Sequence, residues 1–168
     1  MNEHGPPCAE SMTGDREGLA SWDTAIGLLS LPTSMWTRTV RPDGRPHVMP
    51  VLLVWLDGAV WFSTSHASQQ SSNLASNPQT IVSVRDDRVE LVVEGTAVQV
   101  ADDSTLRRVA ACFVEQQGWE VEVRDGAFHT DDAAPSAGEP PFNVYAIRPE
   151  RAFGLPVTSD FTPTRWRF

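Results

Sequence analysis

The residues able to do chemistry are few and scattered. His4, His47, His66 and His129 lie too far apart along the chain to make a metal site by spacing. Cys8 and Cys112 form no Cys-x-x-Cys and no zinc-ligand pattern, so they read as two free thiols in a reducing cytoplasm. All 13 basic residues are Arg, and the absence of Lys excludes a lysine Schiff base and a P-loop lysine. Ser63, Ser65, His66 and Asp57 do not resemble a nucleophile elbow. His47 sits in a strand-like run between two prolines, and reads either as a half-buried histidine shaping a binding face or as a proton donor. At the far end, Trp166 is flanked by Arg165 and Arg167. That triplet reads either as a solvated tail or as a flat ring beside two guanidiniums able to pair with carboxylate or phosphate.

The elements that must position these groups are mostly strands. Residues 1–18 are rich in Gly, Pro and acid with no apolar period, and are expected to form a disordered, dispensable tail ahead of a single domain over 19–168. Leu19, Trp22, Ile26 and Leu29 recur at helical spacing. Alternating runs at 35–41, 46–55 and 59–65, joined by Asp-Gly turns, predict a three-stranded meander. A short helix over 68–76, stopped by Asn77-Pro78, leads to a strand at 80–84. In the long strand 89–100 the apolar parity flips across Glu94-Gly95, which predicts a glycine bulge with positive φ that bends the strand. Residues 103–117 make the clearest helix, with Asp103 or Ser104 as cap and Gly118 as stop. Strands at 119–124 and 142–148 flank a Pro-rich loop. The fold class predicted is mainly β: a six-stranded antiparallel split β-barrel of Greek-key type with about three peripheral helices.

Composition limits the partners. A chain of 168 residues with a formal charge of −9 repels phosphate backbones, so nucleic acid is not an expected partner. The longest apolar run is Val51–Leu56, far short of a membrane span, and a cytoplasmic protein is expected. Hydrophobic content of 40% is that of a globular domain.

Several runs taken in order carry a family resemblance. TVRPDGRPHVMPVLLVWLDGAVWFSTS, SSNLASNP, ELVVEGTAVQV, WEVEVRDGAFH, AFG and TRWRF together resemble the pyridoxamine 5′-phosphate oxidase-like, FMN-binding split-barrel family. More narrowly the chain is similar to the actinobacterial oxidoreductases of that superfamily that use the deazaflavin coenzyme F420. The resemblance spans about residues 19–168 and implies a homodimer with two cofactor sites at its interface.

It also implies a site. Pro46, His47, Val48, Met49, Pro50 and Val51 would run under the flavin-like ring. Phe62, Ser63 and Thr64 would meet its edge through backbone and hydroxyls. The helix start after Ser65, with Ser68, Gln69 and Gln70, would meet the phosphate, and Asn73 belongs to an Asn-Leu pair of the family. Gln69 and Gln70 stand where the family usually carries an Arg-Lys pair. Either Arg38, Arg41 or a partner's Arg165 and Arg167 supply the charge, or the cofactor binds loosely as a diffusible co-substrate, or its binding has been lost. Arg165, Trp166 and Arg167 would stand at the substrate mouth, with the indole stacking on a flat substrate. The activity implied is hydride transfer from reduced deazaflavin to a conjugated C=C bond of a flat hydrophobic substrate, such as a polycyclic polyketide or a tetrapyrrole. An FMN-dependent oxidase, or a non-catalytic haem- or tetrapyrrole-binding protein, are the rival readings.

Overall fold

The structure is a computed structural model and describes residues 7–15, 17–30, 34–131, 138–159 and 161–168. Six longer strands form the principal antiparallel sheet: β2 (Ser34–Val40), β3 (Pro46–Pro50), β5 (Ala59–Ser65), β6 (Gln79–Arg85), β7 (Val89–Val100) and β10 (Phe142–Pro156). They pair in the order β5-β10-β7-β6-β2-β3. Short strands extend this frame: β1 (Cys8–Ser11), β4 (Val54–Leu56), β8 (Glu122–Arg124), β9 (Ala127–His129) and β11 (Thr164–Arg167). Eleven strands are described where six were predicted. Three α-helices, α1 (Trp22–Gly27), α2 (Gln69–Ser76) and α3 (Asp103–Gln117), stand around it.

The split has a physical location. β5 pairs with β10 along Val60–Ser65, but its other edge pairs with β4 only over Ala59–Trp61. From Phe62 onward that edge has no strand partner among the described residues, although the residues on it are buried. β3 pairs with β2 alone. Two strand edges are thus left open, and α2 follows directly from the open end of β5.

Two cores explain the patterning. The first fills the barrel with Leu29, Leu53, Phe62, Leu91, Ile147 and Trp166. The second lies under α3, where Leu106, Val109 and Phe113 meet Val54, Trp61, Phe128 and Phe142. β5 separates the two, which is why all seven of its residues are buried. α3 begins where Asp102, rather than Asp103 or Ser104, accepts from Thr105 N at 2.8 Å. It ends at Gly118 with φ 65°.

Three expectations are corrected. The tail is not wholly disordered: Cys8–Ser11 pairs with β11, and the Glu10 carboxylate lies between Arg165 and Arg167. Residues 1–6 and 16 lie outside the described residues. The bend falls on the strand opposite the predicted one, because the register between β7 and β10 shifts across Pro149/Arg151 and Glu150 is the extra residue. Gly95 faces Pro149 and is not in the left-handed region. Its need for glycine is close approach: a Cβ there would sit 2.3 Å from Arg148 O and 2.9 Å from Ile147 Cγ2. The burial of β7 keeps its odd parity from Val89 through Ala97, and Val98, which suggested a flip, is exposed.

Gly95→Val is therefore expected to destabilise the fold by about 1–3 kcal/mol through overpacking. Urea denaturation reads this as a lower midpoint, and an unchanged midpoint contradicts the contact.

Candidate functional site

α2 docks on the inner face of β2 through amides and hydroxyls rather than apolar packing alone. The Thr37 and Thr39 side chains alternate inward from β2, and Gln70 and Asn73 descend on them from α2. Gln70 Nε2 donates to Thr37 Oγ1. Asn73 Nδ2 donates to Thr39 Oγ1 at 2.8 Å, and Asn73, at 0% exposure, is closed to water. Gln69 Nε2 donates to Asn73 Oδ1 at 2.8 Å, while Arg41 Nη1 donates to Gln69 Oε1 at 3.0 Å. Thr39 Oγ1 then lies 3.5 Å from His47 Nδ1. A continuous polar chain thus runs from Arg41 through α2 to His47.

The start of α2 is equally well defined. Ser68 caps it, accepting from Ser71 N at 3.0 Å. Thr64 Oγ1 and Ser68 Oγ are 3.0 Å apart, and Ser71 Oγ donates to Ser65 O at 2.8 Å. The helix start, the open end of β5 and the Arg41 guanidinium form a locally electropositive spot on an acidic chain. An anion held there meets backbone N–H groups and one cation.

The expected site residues separate onto different surfaces. His47 and Met49 are half-buried on one face of β3, whereas Pro46, Val48 and Pro50 are exposed on the other, next to Val40, Arg38 and Trp36 respectively. Val51 has left the strand and packs against the barrel core. The Phe62 side chain is core, stacked on Tyr145 at 5.3 Å and 18°, so only its backbone edge is available. Ser63, Thr64 and Ser65 are buried along the open edge of β5. Buried Gln70 is taken up by Thr37 and exposed Gln69 by Asn73 and Arg41, so the cation at this helix comes from Arg41. Arg38 instead donates to Ser83 Oγ at 2.6 Å on the outer face.

The terminal triplet is the largest departure. Trp166 is fully buried and packs over Gly154, where a Cβ would lie 2.6 Å from Trp166 Cη2. β11 is sandwiched between β1 and β10, so alternation sends Trp166 inward and Arg165 and Arg167 outward to Glu10. The stacking role expected for Trp166 does not survive this burial. His66 is exposed on the turn before α2, and His129 lies elsewhere, with Nδ1 3.1 Å from Arg124 Nη2. Thr37 and Thr39 were not singled out in the sequence; their signal was a Thr-Arg-Thr alternation opposite a helix rich in carboxamides. Among the described residues no cluster of three His, Cys, Asp or Glu side chains suits a metal ion, and no helix is long and apolar enough to cross a membrane.

Comparison with known proteins agrees with this architecture. The family model described as pyridoxamine 5′-phosphate oxidase matches residues 23–155. A pyridoxine/pyridoxamine 5′-phosphate oxidase from Bacteroides thetaiotaomicron is 36% identical over 77 residues, which is 44% of this chain and 36% of that protein. The chain thus spans about a third of that relative's length. Among solved structures, a conserved hypothetical protein from Mycobacterium tuberculosis is similar at TM-score 0.66 and 21% identity, over 85% of this chain and 89% of that one. A structure described as an F420 reductase is similar at TM-score 0.55 and 25% identity, over 75% of this chain and 93% of that one.

Burial, and secondarily the Arg41 charge, hold the His47 imidazole below its ordinary pKa of 6.5. The neutral ring is thus favoured in the fold. This interaction contributes fully at higher pH, and stability is lost as pH falls from about 6.5 through the folded value. An NMR titration is expected to place the His47 midpoint below 6.5. In Arg41→Gln the midpoint should rise part of the way back, since burial is the larger cause and remains. No movement in that variant contradicts the placement of Arg41.

Proposed function

The chain belongs to the pyridoxamine 5′-phosphate oxidase family, and from that premise we propose that it is an oxidoreductase using the deazaflavin F420 as a diffusible co-substrate. When bound, the reduced deazaflavin supplies a hydride to the conjugated C=C bond of a flat, enone-type hydrophobic substrate, of the polycyclic polyketide or tetrapyrrole kind. The observation that carries this reading is the charge at the start of α2. A single arginine, Arg41, is held there through Gln69, and the carboxamides of Gln69 and Gln70 are engaged by other side chains of the protein. Fewer charge-assisted bonds give a weaker hold on a phosphate, which suits a cofactor that comes and goes. The likeness to an F420 reductase over nearly all of that structure supports the same choice.

The fit rests on the open edge of β5. Buried backbone at Phe62–Ser65 lacks a strand partner there among the described residues, and a flat heterocycle with donors and acceptors along one edge satisfies such groups. Met49 and His47 would form a wall beside it. His47 is held neutral, so at pH 7 it orients by hydrogen bonding rather than acting as a cationic acid. Thr39 Oγ1 already accepts from Asn73, so its proton is free to point at His47 Nδ1, which leaves the ring proton on Nε2. Water is then the source of the proton that completes reduction at the neighbouring carbon or oxygen.

A second reading keeps FMN and an amine oxidase role. The 36% identity to a pyridoxine/pyridoxamine 5′-phosphate oxidase favours it, over the stretch that aligns.

We also infer a cytoplasmic homodimer. On the outer face of the sheet, register aligns Trp36, Ser83, Val92 and Phe153, with exposed Val48 and Leu155 on the neighbouring rows. These apolar positions, interrupted by Ser83 on β6 and next to the edges of β3 and β5, fit a second copy of the chain. Light scattering is expected to show a dimer for the wild type and a shift toward monomer for Trp36→Asp; a wild-type monomer at micromolar concentration with full cofactor binding contradicts it.

Fluorescence titration tests the cofactor. F420 is expected to bind more tightly than FMN, and Arg41→Gln should weaken F420 by roughly three- to tenfold at low salt. The difference should shrink as ionic strength rises. Tighter binding of FMN turns the account to the oxidase reading, and an unchanged affinity in Arg41→Gln removes the anion from α2.

A further inference from the structure

A second concavity lies at the other end of β5. The Asp57-Gly58 turn, the start of α1, the bulge of β10 and the terminal Phe168 enclose a groove of about 780 Å³. It shares no residue with β3, β5 or α2. Its walls are aromatic: Trp22, Trp55 and Phe168 over a floor made by Trp166. The Trp22 ring centroid lies 4.8 Å from Phe168, 5.4 Å from Trp166 and 5.8 Å from Trp55, at interplanar angles of 75°, 61° and 75°. Edge-to-face contacts of this kind do not seal the rings against one another, so π faces remain for a ligand. Trp22 and Trp55 are half-buried and Phe168 is exposed, so the groove is reached from solvent.

The polar rim selects charge. Asp23, Asp57 and Glu150 face one cation, Arg148. Asp57 is neutralised from outside the groove by Arg108. The Glu150 carboxylate accepts from the neutral Thr96 hydroxyl at 2.7 Å. Asp23, in the first turn of α1, adds a second carboxylate, so the rim stays acidic against the single charge of Arg148. Trp166 backs these walls from inside the core, fully buried and closed to solvent.

We propose that this groove binds a flat aromatic monocation, at a site separate from the cofactor site. The aromatic faces of Trp22, Trp55 and Phe168 attract a cation through their quadrupole, and the carboxylates of Asp23 and Glu150 add the matching charge. The inference does not depend on the identity of the cofactor, because no residue is shared with α2 or the open edge of β5.

Three probes with one ring and different charge test it: 1-methylnicotinamide as cation, nicotinamide as neutral and nicotinate as anion. Each is titrated into the full chain while the indole N–H signals are followed by NMR. The cation is expected to move the Trp22, Trp55 and Trp166 signals and to bind about 2- to 30-fold more tightly than the neutral probe, with the anion weakest. Asp23→Asn combined with Glu150→Gln should remove most of that preference. Both positions are exposed, so the fold is not at risk. Trp22→Leu should weaken all three probes, with a thermal melt confirming that it still folds. Equal affinity for cation and neutral probe, movement of Trp36 in place of the groove signals, no movement at all, or binding seen only after residues 1–6 are removed would each overturn the proposal.

Discussion

One carboxamide organises the candidate site. Asn73 is closed to water, and both ends of its side chain are occupied: the oxygen by Gln69, the nitrogen by Thr39. A buried amide left unpaired costs more than a made bond returns, so α2 has one seat on β2 that satisfies every group. With α2 seated, Gln70 reaches Thr37 and Gln69 presents its oxygen to Arg41. The same Thr39 hydroxyl lies beside His47. The position of the cation and the state of the imidazole both follow from how this short helix is pinned.

The barrel supplies the rigid backing. β5 is buried on both faces because α3 covers the side turned away from the barrel, and this lets an open strand edge exist at Phe62–Ser65 without exposing the strand itself. β10 gives the frame its bend, pairing with β5 along its first half and with β11 along its second, with Glu150 as the extra residue between. The bend separates two functional ends. α2 and the open edge lie at one end of β5, and the aromatic groove lies at the other.

How much of this was legible depends on how local the signal was. α3 was readable to its last residue, Gln117, because an apolar stripe and a stop glycine are encoded within one segment. The bounds of β7 were equally plain. The family resemblance placed β3, β5 and α2 in order. What escaped was set by neighbours distant in sequence. Trp166 is core because β1 and β10 flank β11, and nothing near residue 166 announces that pairing. Gly95 was rightly marked, but the reason is the Arg148 carbonyl on another strand. Gln69 and Gln70 looked like a lost charge clamp; only the β2 register shows that Thr37 and Arg41 take them up.

If α2, seated by Asn73, holds the phosphate of a deazaflavin beside Arg41, a crystal structure of the protein soaked with oxidised F420 will place a phosphate oxygen within hydrogen-bond distance of the Arg41 guanidinium and of a backbone N–H in the first turn of α2, with the ring edge along Phe62–Ser65. Density for the cofactor with its phosphate away from α2, or with its ring on the outer face over Trp36 and Val48 and no contact to β5, would contradict it.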